Sequence, residues 1–181
     1  MLENIAMYVL DIVNNSIRAN GKNIIINICD NEDVLLISVE DDGIGIKSSQ
    51  LELVSSPFYT SRETRNIGLG ISLLKQLASQ CNGIFLIQSE KGQGTLVQVE
   101  LEKGHLDIPP MGSLSEMLVS IIQAEQNIDY IFNYNVDQVK FSLDTKEVKK
   151  NLIDVNIKEP SVLLWLKDFI EEGLSSRKEQ K

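Results

Sequence analysis

The first eighteen residues constrain this chain most tightly, because a single helix accounts for two patterns at once. At about 100° per residue, Leu2, Ile5, Ala6, Val9, Val13 and Ile17 form an apolar stripe, while Asn4, Asp11, Asn15 and Arg18 collect on the opposite side. The stripe demands another element to cover it. The polar side places a carboxylate and an amide one turn apart, at Asp11 and Asn15. A carboxylate can take a proton from water, and an amide oxygen is a hard ligand for Mg²⁺, so the pair suits the flanks of one phosphate group. A merely solvated polar face is the plainer alternative, and the helix alone does not exclude it.

Asn20-Gly21 then supplies a turn, and Ile24-Ile25-Ile26-Asn27-Ile28 reads as a buried, β-branched strand. After a hairpin turn over Asp30-Asn31-Glu32-Asp33, the segment Val34 to Glu40 alternates, with Leu35, Ile37 and Val39 on one face. It runs directly into Asp41-Asp42-Gly43-Ile44-Gly45-Ile46. Glycines at 43 and 45 permit positive φ and let a flat ligand approach the backbone, which leaves the Asp41 carboxylate to accept from an exocyclic amine such as that of adenine. A plain acidic turn is the alternative. It is not an EF-hand loop, since the alternating oxygen ligands and terminal Glu are missing.

Lys47 to Val54 reads as a short helix, and residues 56–67 as a mobile, cationic lid in which Arg62 and Arg65 can reach phosphate oxygens, although either can equally be a solvated surface arginine. Gly68-Leu69-Gly70 opens an apolar helix, Ile71 to Cys81, capped by Asn82-Gly83. Free backbone N–H groups and the positive end of the helix dipole make that start an anion site. It is not a Rossmann fingerprint, for the third glycine and the leading strand are absent, and the chain contains no P-loop. Two strands follow, Ile84 to Gln88 and Leu96 to Glu102, joined by Ser89-Glu90-Lys91-Gly92-Gln93-Gly94-Thr95. The second alternates as expected for a sheet covered on one face.

At 181 residues and 43% hydrophobic content the chain can bury one good core and a small second unit. From Pro109-Pro110 the organisation changes: a helix Leu114 to Gln126 capped by Ser113, a hairpin of Asp129 to Asn135 and Gln138 to Asp144, a short helix capped by Thr145, and a last helix Val162 to Glu172 behind Pro160. No catalytic motif falls there. The division expected is therefore residues 1–103 and an α+β extension, 104–181, that either docks a partner or extends the core. A net charge of −9 disfavours direct nucleic-acid binding. Cys29 and Cys81 lack C-x-x-C spacing and read as reduced core thiols. The start lacks the basic region of a signal peptide and no apolar run approaches the roughly 18 residues of a membrane span, so a cytoplasmic protein is expected.

Taken together, Asp11-x-x-x-Asn15, Asp41-x-Gly43-x-Gly45, Gly68-x-Gly70 and Gly92-x-Gly94-Thr95 resemble, in order and spacing, the motifs of the GHKL superfamily of gyrase, heat-shock chaperone, histidine kinase and MutL-type ATPases. Pro57-Phe58-Tyr59-Thr60 and Gly68-Leu69-Gly70-Ile71-Ser72-Leu73 resemble the histidine kinases, and Asn15-Ser16-Ile17-Arg18-Ala19 the MutL branch. The resemblance implies a two-layer α/β sandwich, a mixed sheet with helices on one face, binding ATP and Mg²⁺. It implies that Asn15 ligates the metal, Asp41 holds the adenine amine, Gly43 and Gly45 shape the base pocket, Gly68 and Gly70 lie near the phosphates, Thr95 borders the adenine, and Lys22 aims at phosphate. Asp11 falls where the family usually carries the glutamate that activates water or a hydroxyl, one methylene shorter. The lone histidine, His105, follows the last strand of this region and reads as structural or exposed, so a stand-alone ATP-binding protein without a phosphoacceptor domain is expected.

These implications leave three functions: slow ATP hydrolysis or phosphotransfer to a partner in trans, an anti-sigma-type serine kinase, and a nucleotide sensor without turnover. The chain is also similar to free-standing kinase-like ATP-binding proteins encoded near iron-hydrogenase subunits, which implies a redox enzyme or a signalling protein as partner.

Overall fold

The computed structural model describes residues 2–30, 33–54, 69–136 and 139–175. The elements are α1 (Ile5–Arg18), β1 (Asn23–Asp30), β2 (Val34–Asp41), α2 (Ser48–Val54), α3 (Leu69–Gln80), β3 (Ile84–Glu90), β4 (Gly94–Glu102), α4 (Leu114–Ala124), β5 (Asp129–Val136), β6 (Val139–Asp144), α5 (Thr145–Asn151) and α6 (Pro160–Ser175). One six-stranded sheet runs β3-β4-β2-β1-β5-β6. β5 lies parallel to β1 and every other pairing is antiparallel, so the sheet is mixed.

The helices cover one face of this sheet. Ile24, Ile26 and Ile28 of β1, Leu35, Ile37 and Val39 of β2, and Val97, Val99 and Leu101 of β4 are buried, and the residues between them are less so or exposed, apart from Ser38. This corrects the reading of β1 as buried throughout: Ile25 is only half-buried, because among the described residues no helix lies over its side of the sheet. The covering layer centres on α1, which packs against α3 on one flank and α4 on the other. That double flank buries Tyr8, Ile12 and Ser16 besides the predicted stripe.

Residues from the C-terminal extension enter the same core. Leu118, Ile121, Ile122, Tyr130, Phe132, Leu166 and Ile170 belong to one buried cluster with Ile5, Val13, Ile26 and Val99. The link back to the first helix is covalently remote but physically direct. The Ile5 and Ala6 N–H groups, unsatisfied within α1, donate to the carbonyls of Pro110 and Met111, while the Asn4 side chain caps the Met7 N–H.

Local chemistry differs from expectation at two joints. Asp144, rather than Thr145, caps α5 by accepting from the Lys146 N–H. Thr145 is fully buried, and its hydroxyl accepts from the Tyr130 N–H instead. The β3–β4 loop is also shorter than read, since Ser89 and Glu90 pair with Thr95 and Gly94 and leave only Lys91 to Gln93 as the turn.

Candidate functional site

The strand–glycine loop builds the site's centre. Asp41 closes β2 with its side chain on the helix side of the sheet, 7% exposed. Burying a carboxylate costs several kcal/mol unless its oxygens are hydrogen-bonded. Here Oδ2 accepts from the Ser16 hydroxyl of α1 at 2.6 Å, and Oδ1 accepts from the Gly43 N–H at 2.9 Å. The next residue is used differently. Asp42 accepts from the Lys22 and Asn23 N–H groups and the Asn23 amide at 2.6–2.9 Å, stapling the start of β1 to the loop. Desolvation pushes its carboxyl up, but the hydrogen bonds from Asn23 and Lys22 outweigh that and hold it below the usual range.

The glycines let two backbone segments meet. Gly45 has φ +63°, and a Cβ there would strike the Glu90 carbonyl; Gly94 has φ +103°, and a Cβ there would strike the Asp41 carbonyl. The Asp41 loop and the β3–β4 turn are thereby locked together. Gly92 donates its N–H to the Ile44 carbonyl, and the Ile46 N–H donates to the Ser89 hydroxyl. Ser89 Oγ also donates to the Gly94 carbonyl at 2.7 Å and lies 2.9 Å from the Thr95 hydroxyl.

Between α1, this loop and the sheet lies a cavity of about 510 Å³, lined by Asn15, Ser16 and Arg18 from α1, by Asp41, Ile44, Gly45 and Ile46, by Ile71 of α3, and by Thr95 and Val97 of β4, among others. Such a volume, with apolar walls and a few convergent polar groups, has the make-up of a small-molecule site. Of the residues singled out in the sequence, Asn15, Asp41, Gly45 and Thr95 are brought together here. Gly43 stands behind Asp41, where a Cβ would meet the Ala19 carbonyl at 2.6 Å. Gly70 packs so closely on Asp11 that a Cβ would strike the carboxylate, so Asp11 sits against the first turn of α3, beside the cavity wall rather than in it. Lys22 is exposed and does not line the cavity. Arg62, Arg65 and Gly68, with the lid assigned to residues 56–67, lie outside the described residues.

Sequence reading missed Ser16 and Ser89. Arg18, read on the polar face one turn past Asn15, lines the cavity, and its guanidinium donates to the Asn15 Oδ1 at 3.5 Å. Ser16 and Ser89 carry no local signal, because their partners come from other elements. Asn15, at the cavity wall, carries an amide oxygen of the hard kind that suits a small cation, and the Arg18 guanidinium also contacts it. Among the described residues no helix is long and apolar enough to cross a membrane.

Comparison with known proteins gives the family and the fold. The profile of the family described as histidine kinase-, DNA gyrase B-, and HSP90-like ATPase matches residues 3–105. Sporulation kinase E of Bacillus subtilis is 34% identical over 95 residues, which cover 51% of this chain and 13% of that protein. The autoinducer 2 sensor kinase/phosphatase LuxQ of Vibrio parahaemolyticus is 38% identical over 73 residues, 38% of this chain and 8% of that one. The chain therefore matches only a small part of the length of these relatives. Among solved structures, the MutL ATPase domain of Aquifex aeolicus, complexed with ADP, has a TM-score of 0.50 at 14% identity, covering 86% of this chain and 71% of that chain. At that identity the likeness is one of fold, and at 86% of this chain it covers more of it than the residues 3–105 that the family profile matches.

Proposed function

Because this chain belongs to the family of histidine kinase-, DNA gyrase B-, and HSP90-like ATPases, we propose that it binds Mg-ATP in the cavity beside α1, with the adenine amine on Asp41, and either hydrolyses it slowly or passes its phosphate to a partner protein. The observation that carries this reading is the Asp41 carboxylate itself. It is buried, accepts one protein hydrogen bond on each oxygen, and still borders a cavity of about 510 Å³. Each carboxylate oxygen can accept a further bond, and an exocyclic amine is the donor that fits. Ile12, Ile44, Ile71 and Val97 supply apolar surface for the ring faces, while Gly45 lets the base approach the backbone.

From there the triphosphate runs toward Asn15, Arg18 and the start of α3, where the helix dipole favours negative charge. Mg²⁺, when bound, would neutralise and orient the phosphates, with Asn15 as its protein ligand. Asp11, which packs against Gly70 in the first turn of α3 beside the cavity, would take the proton from an attacking water or from a partner's hydroxyl. The partner, by resemblance a signalling protein or redox enzyme, would supply any acceptor side chain; an anti-sigma-type serine kinase is one form of this. A second reading, a nucleotide sensor without turnover, is favoured by the short Asp11 side chain and its seat against Gly70.

Incubation with γ-labelled ATP and Mg²⁺, with and without extract of the source cells, separates these readings. A labelled protein indicates a kinase, released phosphate an ATPase, and retained intact ATP a sensor. Failure to retain, cleave or transfer the nucleotide at all would overturn the proposal.

A further inference from the structure

The hydroxyl of Ser89 has one proton and three close partners, and their chemistry decides where that proton goes. The Gly94 carbonyl, 2.7 Å away, can only accept. The Ile46 N–H, 2.8 Å away, can only donate. Ser89 therefore spends its proton on Gly94 and one lone pair on Ile46, and the remaining contact, 2.9 Å to the Thr95 hydroxyl, is made with Thr95 as donor. Turning the Ser89 proton toward Thr95 would leave two acceptor oxygens facing each other at the Gly94 contact, the more costly arrangement.

The consequence appears in the cavity. Thr95 lines it, but its proton is committed to Ser89, so the hydroxyl presents only lone pairs to a ligand. The same holds for Ser16, whose proton is held by Asp41, and for the Asp41 carboxylate, which has no proton to give. Three polar groups from three elements thus offer a ligand acceptors only. We infer that Ser89 is a specificity-determining positioning residue: by fixing the direction of the Thr95 hydroxyl, it makes this wall complementary to the exocyclic amine of a 6-amino purine and repulsive to the oxygen at the same position of a 6-oxo purine. The inference rests on the reading that the cavity takes a nucleotide base. It goes beyond that reading by naming which nucleotides are turned away and which residue outside the cavity lining is responsible.

The test measures ATP and ITP affinities of the full chain by calorimetry, for the wild type and for Ser89→Ala, Thr95→Val, their double variant and Asp41→Asn. ITP differs from ATP at the purine's 6-position, where an oxygen and ring N–H replace the amine and ring nitrogen. Alanine at 89 frees Thr95 to turn its proton into the cavity, so the ATP-to-ITP preference should narrow by about tenfold, whatever happens to both affinities through loosening of the loop. Thr95→Val should narrow it similarly by deleting the lone pairs. In the Thr95→Val background, adding Ser89→Ala should narrow it no further, because Ser89 acts only through Thr95. If Ser89→Ala does not fold, Thr95→Val carries the test: an unchanged preference in that variant overturns the inference. Equal losses for ATP and ITP in Ser89→Ala reduce Ser89 to a structural brace and also overturn it. A wild type that binds neither nucleotide, or an Asp41→Asn variant that binds ATP normally, overturns instead the base-pocket reading beneath it.

Discussion

At the β2–β4 side of the sheet the inward-facing groups include Asp41, hydrogen-bonded to Ser16 of α1, and Ser89, hydrogen-bonded to Thr95, whereas at the β5–β6 side they are Tyr130, Phe132, Phe141 and Leu143, with the Phe141 ring packed between Phe132 and Phe169 of α6. The same contrast marks the glycines. Gly45, Gly70 and Gly94 each make room for a carbonyl or carboxylate, while Gly173 of α6 makes room for the Phe141 ring. One side keeps polar groups satisfied around a cavity, and the other supplies the dry mass that holds α1 in place. The difference teaches that the extension has a structural task whatever partner it also serves: α1 carries Asp11, Asn15 and Ser16 on one aspect and rests on α4 with the other.

The largest effect should come from removing the dry side altogether. A fragment ending at residue 105 loses Leu118, Ile121, Ile122, Tyr130, Phe132, Leu166 and Ile170 from the shared core and exposes the edge of β1. At about 1.5–3 kcal/mol for each buried apolar side chain, that loss is as large as the 5–15 kcal/mol by which a domain is ordinarily stable. The fragment should show no cooperative melting by circular dichroism. A fragment that melts cooperatively and binds ATP would break the comparison.

On the wet side, Asp11→Asn should leave ATP affinity in place yet lower phosphate release or transfer by roughly 10²- to 10⁴-fold, as loss of a general base does. Single-turnover assays decide it, and unchanged turnover would remove Asp11 from the chemistry. The dry counterpart is Phe132→Ala. It should cost about 3–5 kcal/mol in denaturant unfolding while leaving ATP affinity unaltered below the transition, since the ring is fully buried far from the cavity lining. A matched loss of affinity would mean that the two sides are coupled more tightly than their packing suggests.

Much of this division was legible in the sequence, and the exceptions follow one rule. The alternation of β2 and β4, the Asp41 loop and the order of elements in the extension are local patterns, fixed by side-chain period and turn chemistry. What escaped reading depends on partners distant in sequence. Ser16 is buried because Asp41 stands 25 positions away, and Asn27 pairs with Asn133 across 106 positions because β5 docks beside β1. No periodicity announces which strand a hairpin joins. Thr145 was misread for the same reason: its hydroxyl suits a cap, but the Tyr130 N–H claims it and Asp144 takes the cap.

The smallest expected effect lies at the seam. The Asp42 carboxyl sits below its ordinary value of 3.8, because the hydrogen bonds from Asn23 and Lys22 outweigh desolvation. A carboxyl lowered by folding contributes stability above its unfolded value and loses it as pH falls through the folded one. Asp42→Asn should therefore lower Tm by about 1–3 °C at neutral pH, with the gap closing as the wild type is titrated below its unfolded value. A gap that persists undiminished in acid would show that charge at Asp42 is not what staples β1.

The central claim is that the buried Asp41 recognises the amine of adenine. Calorimetric titration of Mg-ATP into the wild type and Asp41→Asn tests it most directly, because the substitution keeps the volume and replaces an acceptor oxygen with an N–H donor. Binding should fall by at least tenfold in Asp41→Asn, about 1–3 kcal/mol or more, with the fold intact by circular dichroism. Wild-type affinity in a folded Asp41→Asn protein would contradict the account.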